Sequence, residues 1–377
     1  MTALRILADD LTGALDCAAA FGAGVPVHLG RPAAAEPAAG IDIVATATRD
    51  VPLQALPALL QPSLAWLRNA DIAFKKVDSL LRSNTFDEVD LVARQGGFDG
   101  VVFVPAFPAQ GRVTEGGRQW VLQPEGGRMP VAAGVIDEAL HRRGWRVFAD
   151  LPAPDAAPAG WSWIPDVRSD ADMDVVVARL RQRGAKRLLW CGSAGLAHAL
   201  ARGLELPLSP AGAAPASAAG PVMLVSASHH PVSREQWRVL RQSRRAAECH
   251  DGADPASLVR EARGYPRLLD LSPQDRITPE EAAALLSRQA ELIARHAPRP
   301  GVLVVVGGDT LLSLCRATGA LGLRSEQALD RPGWGSARLV GGRWDGVVCH
   351  TRSGAFGGPQ DLVEVLQGLE RTGVRAG

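Results

Sequence analysis

The sequence predicts an α/β protein of two domains, each with a mainly parallel sheet flanked by helices. Three observations carry that prediction. Short β-branched runs alternate with Ala/Leu/Arg segments of helical period, the pattern of repeated βα units. The 377 residues exceed what one hydrophobic core usually organises. Residues 206–220 are rich in Ala, Pro, Ser and Gly and carry no charge, a composition that joins packed units rather than forming one. The expected division is therefore a first domain at 1–205, a linker at 206–220 and a second domain at 221–377.

In chain order, the clearest strands are Leu4–Leu7, Ile41–Ala45, Ile72–Val77, Val101–Val104, Arg187–Cys191, Val222–Ser226, Val302–Val306 and Gly346–His350. Helical periodicity covers Ala14–Phe21, Asp172–Gln182, Gly195–Arg202, Arg234–Ser243, Pro279–Arg295 and Asp361–Arg371. In the last of these, Leu362, Val365, Leu366 and Leu369 fall on one face of a 3.6-residue period. A shorter helix is expected over Leu311–Arg316, after a Gly-Gly turn.

Composition excludes several classes of function. A net charge of +1 leaves no basic excess to neutralise a nucleic-acid backbone. Cys17, Cys191, Cys249, Cys315 and Cys349 are odd in number and include no C-x-x-C pair, so neither a disulfide scaffold nor a zinc ribbon is expected. No apolar run approaches the length of a membrane span, and a cytoplasmic location is the expectation. P-loop and dinucleotide fingerprints are missing from the sequence.

Chemistry concentrates in a few segments. The first strand runs into Asp9-Asp10-Leu11-Thr12-Gly13, followed by a helix carrying Asp16. In an open parallel sheet, ligands bind beyond the carboxyl ends of the strands. Two acids there can hold a cation or accept a hydroxyl proton; alternatively, Asp10 or Thr12 simply caps the helix. The segment Lys75-Lys76-Val77-Asp78-Ser79-Leu80-Leu81-Arg82-Ser83-Asn84 is the second cluster. Adjacent strand residues face opposite ways, so one lysine can pair internally while the other reaches a site. Lys76 and Asp78 share a face. A third segment, Pro105-Ala106-Phe107-Pro108-Ala109-Gln110-Gly111-Arg112, offers an Arg on a proline-fixed loop, suited to gripping a carboxylate with two hydrogen bonds.

Glycine turns at strand-to-helix junctions mark candidate anion sites, because they bare backbone N–H groups at a helix start. Gly307-Gly308-Asp309-Thr310 and Ser353-Gly354-Ala355-Phe356-Gly357 lie in the second domain. Cys191-Gly192-Ser193-Ala194-Gly195 repeats the pattern in the first. The adjacent His229 and His230 have no ligand partner at useful spacing, and a structural or exposed role is expected for both.

Taken in order, these segments resemble the four-carbon acid sugar kinase family over nearly the whole chain. The resemblance implies an N-terminal sugar-acid-binding domain, a C-terminal ATP-binding domain, and phosphorylation of the 4-hydroxyl of acids such as threonate, erythronate or a 3-oxo-tetronate. It implies ATP and Mg2+ as cofactors, with the metal's ligands unassigned. Arg49, Lys76, Arg82 and Arg112 become candidates for the substrate carboxylate, with Asp9, Asp16 and Asn84 beside them. Asp10 or Asp78 would orient or deprotonate the attacking hydroxyl. Ser226, Ser228, Gly307, Gly308, Asp309, Thr310 and Gly354 would cradle the nucleotide. The chain departs from the family pattern at Leu80, where Thr is usual, at Ser83, where Gly is usual, at Ala227 within the Ser226–His230 run, and at Arg352, where Lys is common. The expected partners are the sugar acid and ATP, with a homodimer open. A kinase of another small polyol acid and an inactive sugar-acid sensor are the rival readings.

Overall fold

The computed structural model describes residues 2–32, 40–123, 125–154, 157–184, 187–204, 221–244, 249–251, 267–273, 275, 277–327, 329 and 333–374. The segment 206–220, expected to link two domains, lies outside the described residues. The chain divides into two compact units, one of Met1–Phe21 and Val25–Leu208, the other of Gly22–Gly24 and Ser209–Gly377.

Unit 1 is built on β1 (Ala3–Ala8), β2 (Pro26–Leu29), β3 (Gly40–Ala45), β4 (Ile72–Lys76), β5 (Gly100–Val104), β9 (Arg146–Phe148), β10 (Trp161–Trp163) and β11 (Leu188–Gly192). Their order across its sheet is β2-β3-β1-β4-β11-β5-β10-β9, and every pairing is parallel. Parallel strands covered on both faces read as nearly continuous apolar runs, and β1, β4, β5 and β11 are buried along their whole length, with Arg5, Lys75 and Lys76 the charged exceptions.

The chain leaves β1 through α1 (Leu11–Ala20) toward β2 and β3 on one side. It then returns through α2 (Leu56–Arg68) to β4 on the other. β1 is thus the point where strand order reverses, with Ala8 level with Ala45 of β3 and Lys76 of β4. The core on one face joins Leu60 and Leu64 of α2 to Phe86, Val89 and Val92 of α3 (Thr85–Gln95) and to Ile136 and Leu140 of α4 (Ile136–His141). On the other face, α6 (Ala194–Gly203) packs against both α1 and α5 (Asp170–Arg183).

A separate antiparallel sheet, β6 (Arg112–Glu115), β7 (Arg118–Leu122) and β8 (Arg128–Val135), follows β5. Sequence periodicity marks neither this sheet nor α2. Polar Arg, Gln and Glu interrupt the alternation in the first, and Pro57 and Pro62 argue against a helix in the second. Pro57 nevertheless sits in the first turn, where its missing N–H is harmless.

Unit 2 uses β12 (Val222–Ser226), β13 (Cys249–Asp251), β14 (Arg267–Asp270), β15 (Val302–Val306), β16 (Gly322–Ser325), β17 (Gly335–Val340) and β18 (Val348–Arg352). Their order is β13-β14-β12-β15-β18-β17-β16, parallel except for the two pairings of β17. Here β12 is the reversal point, flanked by β14 and β15. Helices Pro231–Ser243 and Asp361–Val374 pack together, as do Pro279–His296 and Gly308–Thr318. The last strand begins two residues later than its expected start at Gly346, because Gly346 adopts φ +76° in the preceding turn.

Cys17, Cys191, Cys315 and Cys349 are buried free thiols. Among the described residues, no helix is long and apolar enough to cross a membrane.

In β5, Gly100 lies flat against the indole of Trp161, and a Cβ added there would stand 2.1 Å from Cε2. Gly100→Ala overpacks this contact and is expected to lower stability by about 1–3 kcal/mol. A urea unfolding midpoint equal to that of the native protein would contradict the packing described.

Candidate functional site

At the carboxyl ends of β1, β3 and β4, three loops converge and are stitched together by their own backbones. The loop after β3 is tied to the end of β1 by Thr46 Oγ1, which donates to the Ala8 carbonyl at 2.9 Å, and by Thr48 N–H, which donates to the Asp9 carbonyl at 2.9 Å. The loop after β4 is tied to it in turn. Asn84 Nδ2 donates to the carbonyls of Thr48 at 3.2 Å and Val51 at 2.7 Å, and Ser83 Oγ donates to Asp50. Asn84, expected to touch substrate, therefore spends both amide hydrogens on holding loops.

Within this frame Asp9, Asp10, Arg49 and Lys76 form one charge network. Arg49 Nε donates to Asp9 Oδ2 at 2.6 Å, and its Nη2 donates to Asp10 Oδ1 at 2.5 Å. Lys76 Nζ donates to the same Asp10 oxygen at 3.1 Å and stands 3.6 Å from Asp9 Oδ1. Asp10 occupies the N-cap position of α1, yet its side chain caps nothing. Two cations bind it instead, so the capping reading does not hold for that residue.

The Lys76 ammonium reaches the acids by crossing directly over Gly13. A Cβ on residue 13 would lie 2.0 Å from Nζ and 2.4 Å from Cε. The Thr-Gly step after the two acids is thus a steric requirement of the network.

The two lysines of β4 divide as the strand pleat demands. Lys76 enters the network, while Lys75 turns to the opposite face and pairs with Glu88 of α3 at 2.7 Å. Beyond the strand, Arg82 grips Asp78 with two bonds, Nε to Oδ2 at 2.6 Å and Nη2 to Oδ1 at 2.9 Å. The Arg82 side chain remains 57% exposed, so its charge can still meet a ligand. Arg112, set by Gly111 in a left-handed turn at φ +70°, directs Nη1 to the carbonyl of Gln110 and, at 3.3 Å, to Gln110 Oε1. Its charge interacts with those of Asp78 and Arg82.

Protonation follows from these partners. Burial would push Asp9 up, but Lys76, Arg49 and Lys75 outweigh it and hold the carboxyl well below the usual carboxylate range. Burial would lower Lys76 and Arg49; Asp10 and Asp9 overcome it and raise both. Asp78 is lowered: desolvation opposes this, and the bond from Arg82 and the charge of Arg49 prevail. Asp16, one helical turn beyond Thr12, behaves in the opposite way. Burial lifts its carboxyl to about 6 against the pull of Lys76, and the neighbouring Asp10 adds to the rise. No hydrogen-bond donor reaches Asp16 among the described residues.

Backbone strain gathers in the same loops. Ala47 (φ 57°), Leu81 (φ 56°) and Ser83 (φ 52°) are left-handed without being glycine, a conformation that costs roughly 1–2 kcal/mol each. Ser83 stands where the family pattern has Gly, and its φ explains that preference. Thr46, Thr48, Asp50 and Glu88 are not among the residues that sequence singles out. A run of Thr and Asp around Arg49, straight after a strand, is the available signal for the first three.

In unit 2 the expected nucleotide residues also meet at a reversal point. Ala227 N–H donates to Thr310 Oγ1 at 3.3 Å, and Ser228 N–H donates to Ser226 Oγ at 3.3 Å. Gly307 takes φ +104° before the helix that contains Gly308, Asp309 and Thr310. Gly354 approaches so closely that a Cβ would lie 2.0 Å from Ser228 Oγ, and its carbonyl accepts from Ser233 Oγ at 2.7 Å.

Arg352 does not offer a free charge beside them. It is buried, paired with Asp361 at 2.9 Å, bonded to Gln236 and the Phe356 carbonyl, and stacked 5.0 Å from the Trp334 ring. The glycine turn of unit 1 is likewise occupied: a Cβ on Gly195 would meet the Ala106 carbonyl at 2.7 Å, and Ser193 Oγ donates to that carbonyl at 2.5 Å. Those glycines serve packing. His229 and His230 are exposed, and His230 caps the helix Pro231–Ser243 by accepting from Val232 N–H at 3.3 Å.

Among the described residues, no three His, Cys, Asp or Glu side chains group as a metal cage. A divalent cation held largely by nucleotide phosphates and water needs only one or two protein carboxylates, and Asp309 stands in the first turn after Gly307.

Each of the two α/β units gathers polar residues where its strand order reverses. Residues 4–142 match the family model described as the sugar-binding N-terminal domain. A D-threonate kinase of Bordetella bronchiseptica is 29% identical over 404 aligned residues, covering 97% of each chain. A D-threonate kinase of Cupriavidus necator is 27% identical over 420, again covering 97% of each. A solved protein of Salmonella typhimurium LT2, described as a candidate tRNA synthase, superposes with a TM-score of 0.70 over 96% of this chain and 98% of its own. At 19% identity that likeness concerns the fold alone. These likenesses, one over residues 4–142 and two over nearly the whole chain, support the resemblance to the four-carbon acid sugar kinase family.

Asp16 supplies a test of these electrostatics. A carboxyl raised by folding adds stability that is complete below the unfolded value and lost as pH rises through the folded one. Asp16→Asn removes the ionisation, so the variant and the native protein are expected to match near pH 4. The variant should then gain up to about 2 kcal/mol by pH 8. Denaturant unfolding across that range reads the gap directly, and a gap that shrinks with rising pH would refute the assignment.

Proposed function

We propose that the protein transfers the γ-phosphoryl group of ATP to the terminal hydroxyl of a four-carbon sugar acid. The observation that carries this reading is the mixed charge cluster at the β1 reversal point. Asp9, Asp10 and Asp78 offer acceptors to hydroxyls, while Arg49, Lys76, Arg82 and Arg112 offer donors to a carboxylate. A polyol bearing one carboxylate is the ligand class that uses both. Full-length similarity to two D-threonate kinases supports the same chemistry.

In this reading unit 1 binds the acid and unit 2 the nucleotide. Arg82 is the cation best suited to the carboxylate, since a planar guanidinium pairs with it through two bonds and this one is largely exposed. Asp10 orients the acceptor hydroxyl. Asp78, already gripped twice by Arg82, keeps that guanidinium in place. The turns at Gly307–Thr310 and Gly354 receive the phosphates on bare N–H groups, and Ser226 and Ser228 line their approach. Asp309 would hold a divalent cation arriving with the nucleotide, which would supply neutralisation of phosphate charge. Phosphoryl transfer depends on positioning and charge neutralisation more than on covalent help from the protein.

The test is ATP consumption against a panel of four-carbon acids, with erythritol as the uncharged counterpart. Turnover of at least one acid is expected, with kcat/KM for erythritol at least about a hundredfold lower, since the cations lose their charged partner. Equal turnover of erythritol would defeat carboxylate recognition. Binding of an acid without ATP consumption would point to the inactive sensor instead.

Asp10→Asn keeps the shape of the side chain and removes its charge. If Asp10 orients or deprotonates the hydroxyl, kcat should fall about a hundredfold while nucleotide affinity holds. A near-native kcat would place that role elsewhere.

A further inference from the structure

We infer that Lys75 and Glu88 are positioning residues, an ion pair that holds the segment 76–88 in the shape its site residues require. The inference rests on the proposed function for its kinetic consequence and on geometry alone for its structural one. Both side chains are 1% exposed, and Lys75 Nζ lies 2.7 Å from Glu88 Oε2. Neither makes a direct contact with the charge network, because the strand pleat sends Lys75 to the face opposite Lys76; the Lys75 charge reaches Asp9 only at a distance.

What the pair joins is informative. Lys75 Nζ also donates to the Lys76 carbonyl at 3.1 Å, the point where the chain leaves β4. Glu88 stands in the first turn of α3, its N–H donating to the Asn84 carbonyl at 2.9 Å. The contact thus ties the two ends of the segment that carries Lys76, Asp78, Arg82 and Asn84. Between those ends lie the left-handed Leu81 and Ser83. Strained residues persist only where their surroundings over-determine them.

Stability alone does not account for the pair. Apolar residues of similar volume commonly replace a buried ion pair without loss, and Cys191, level with Lys75 on the neighbouring strand, and Val92, one turn beyond Glu88, belong to the apolar core. Both carboxylate oxygens of Glu88 are buried and accept no hydrogen bond among the described residues, so its contact with Lys75 is one of charge. A pair retained in such a place supplies direction: an ammonium has a second acceptor to aim at, and a methyl group does not.

The experiment compares the native protein with Lys75→Met/Glu88→Leu, using amide hydrogen exchange and steady-state kinetics. The double variant is expected to unfold near the native midpoint. The amides of Leu81, Arg82 and Asn84 should exchange at least tenfold faster, while those of unit 2 do not change. For the acid that the native enzyme uses best, kcat/KM should fall about tenfold to a hundredfold, the order expected of a misplacement near 1 Å. KM for the nucleotide should stay put.

Native exchange across the segment, or native kcat/KM, in the folded double variant overturns the inference. Should that variant not fold, Glu88→Gln, which keeps shape and an acceptor for Lys75, is put through the same two measurements: faster exchange with reduced kcat/KM supports the positioning role, and native values of either overturn it. If the native protein consumes ATP with none of the acids, the proposed function fails, and exchange alone decides the positioning role.

Discussion

The ammonium of Lys76 lies between two aspartates that the chain places side by side at the end of β1, and it reaches them only because residue 13 has no side chain. Much of unit 1 is arranged around that contact. Ala8 and Lys76 are level in neighbouring parallel strands, so Asp9 and Asp10 emerge beside the lysine without any loop having to search for it. Arg49 closes the network from the strand on the other side. Two acids and two cations in this arrangement neutralise one another in the free protein, which limits the desolvation penalty of gathering charge at a sheet edge.

The two units solve one problem in the same way. Each places its polar residues where the strand order reverses, because only there do neighbouring connections diverge and leave strand ends uncovered. They differ in what lines the opening. Unit 1 uses charged side chains and three strained non-glycine residues, an arrangement that suits the small ionic ligand proposed for it. Unit 2 uses hydroxyls, glycines and a helix start, which suits an anion whose own charge dominates the contact.

Much of this was legible in the sequence. The βα rhythm, strands expected to end at Leu7, Ala45 and Val77 and found to end at Ala8, Ala45 and Lys76, and the separation of Lys75 from Lys76 all follow from period and pleat. The acidic step at Asp9-Asp10 and the Gly307–Thr310 turn could be placed at strand ends by inspection. What sequence could not supply was pairing. Nothing in Asn84 says that its amide is spent on the carbonyls of Thr48 and Val51. Nothing in Gly195 says that its bare face meets the Ala106 carbonyl rather than a phosphate. Arg352 shows the same limit: its charge is visible in the chain, but its burial depends on Gln236, 116 positions before it, as well as on the nearer Trp334 and Asp361. Asp16 is the converse, a carboxylate whose unusual protonation arises from burial that no local pattern announces.

The stacking of Arg352 on Trp334 has an optical consequence. The guanidinium that covers the indole also holds the Phe356 carbonyl, in the loop that follows Gly354. An indole pressed against a cation emits differently from one that is not, so the chain carries its own gauge of that loop. With nine tryptophans the signal is one among several, but a difference spectrum against a Trp334→Phe variant would isolate it. Rearrangement of the 353–357 loop could then be followed in real time, in a protein bearing no added label.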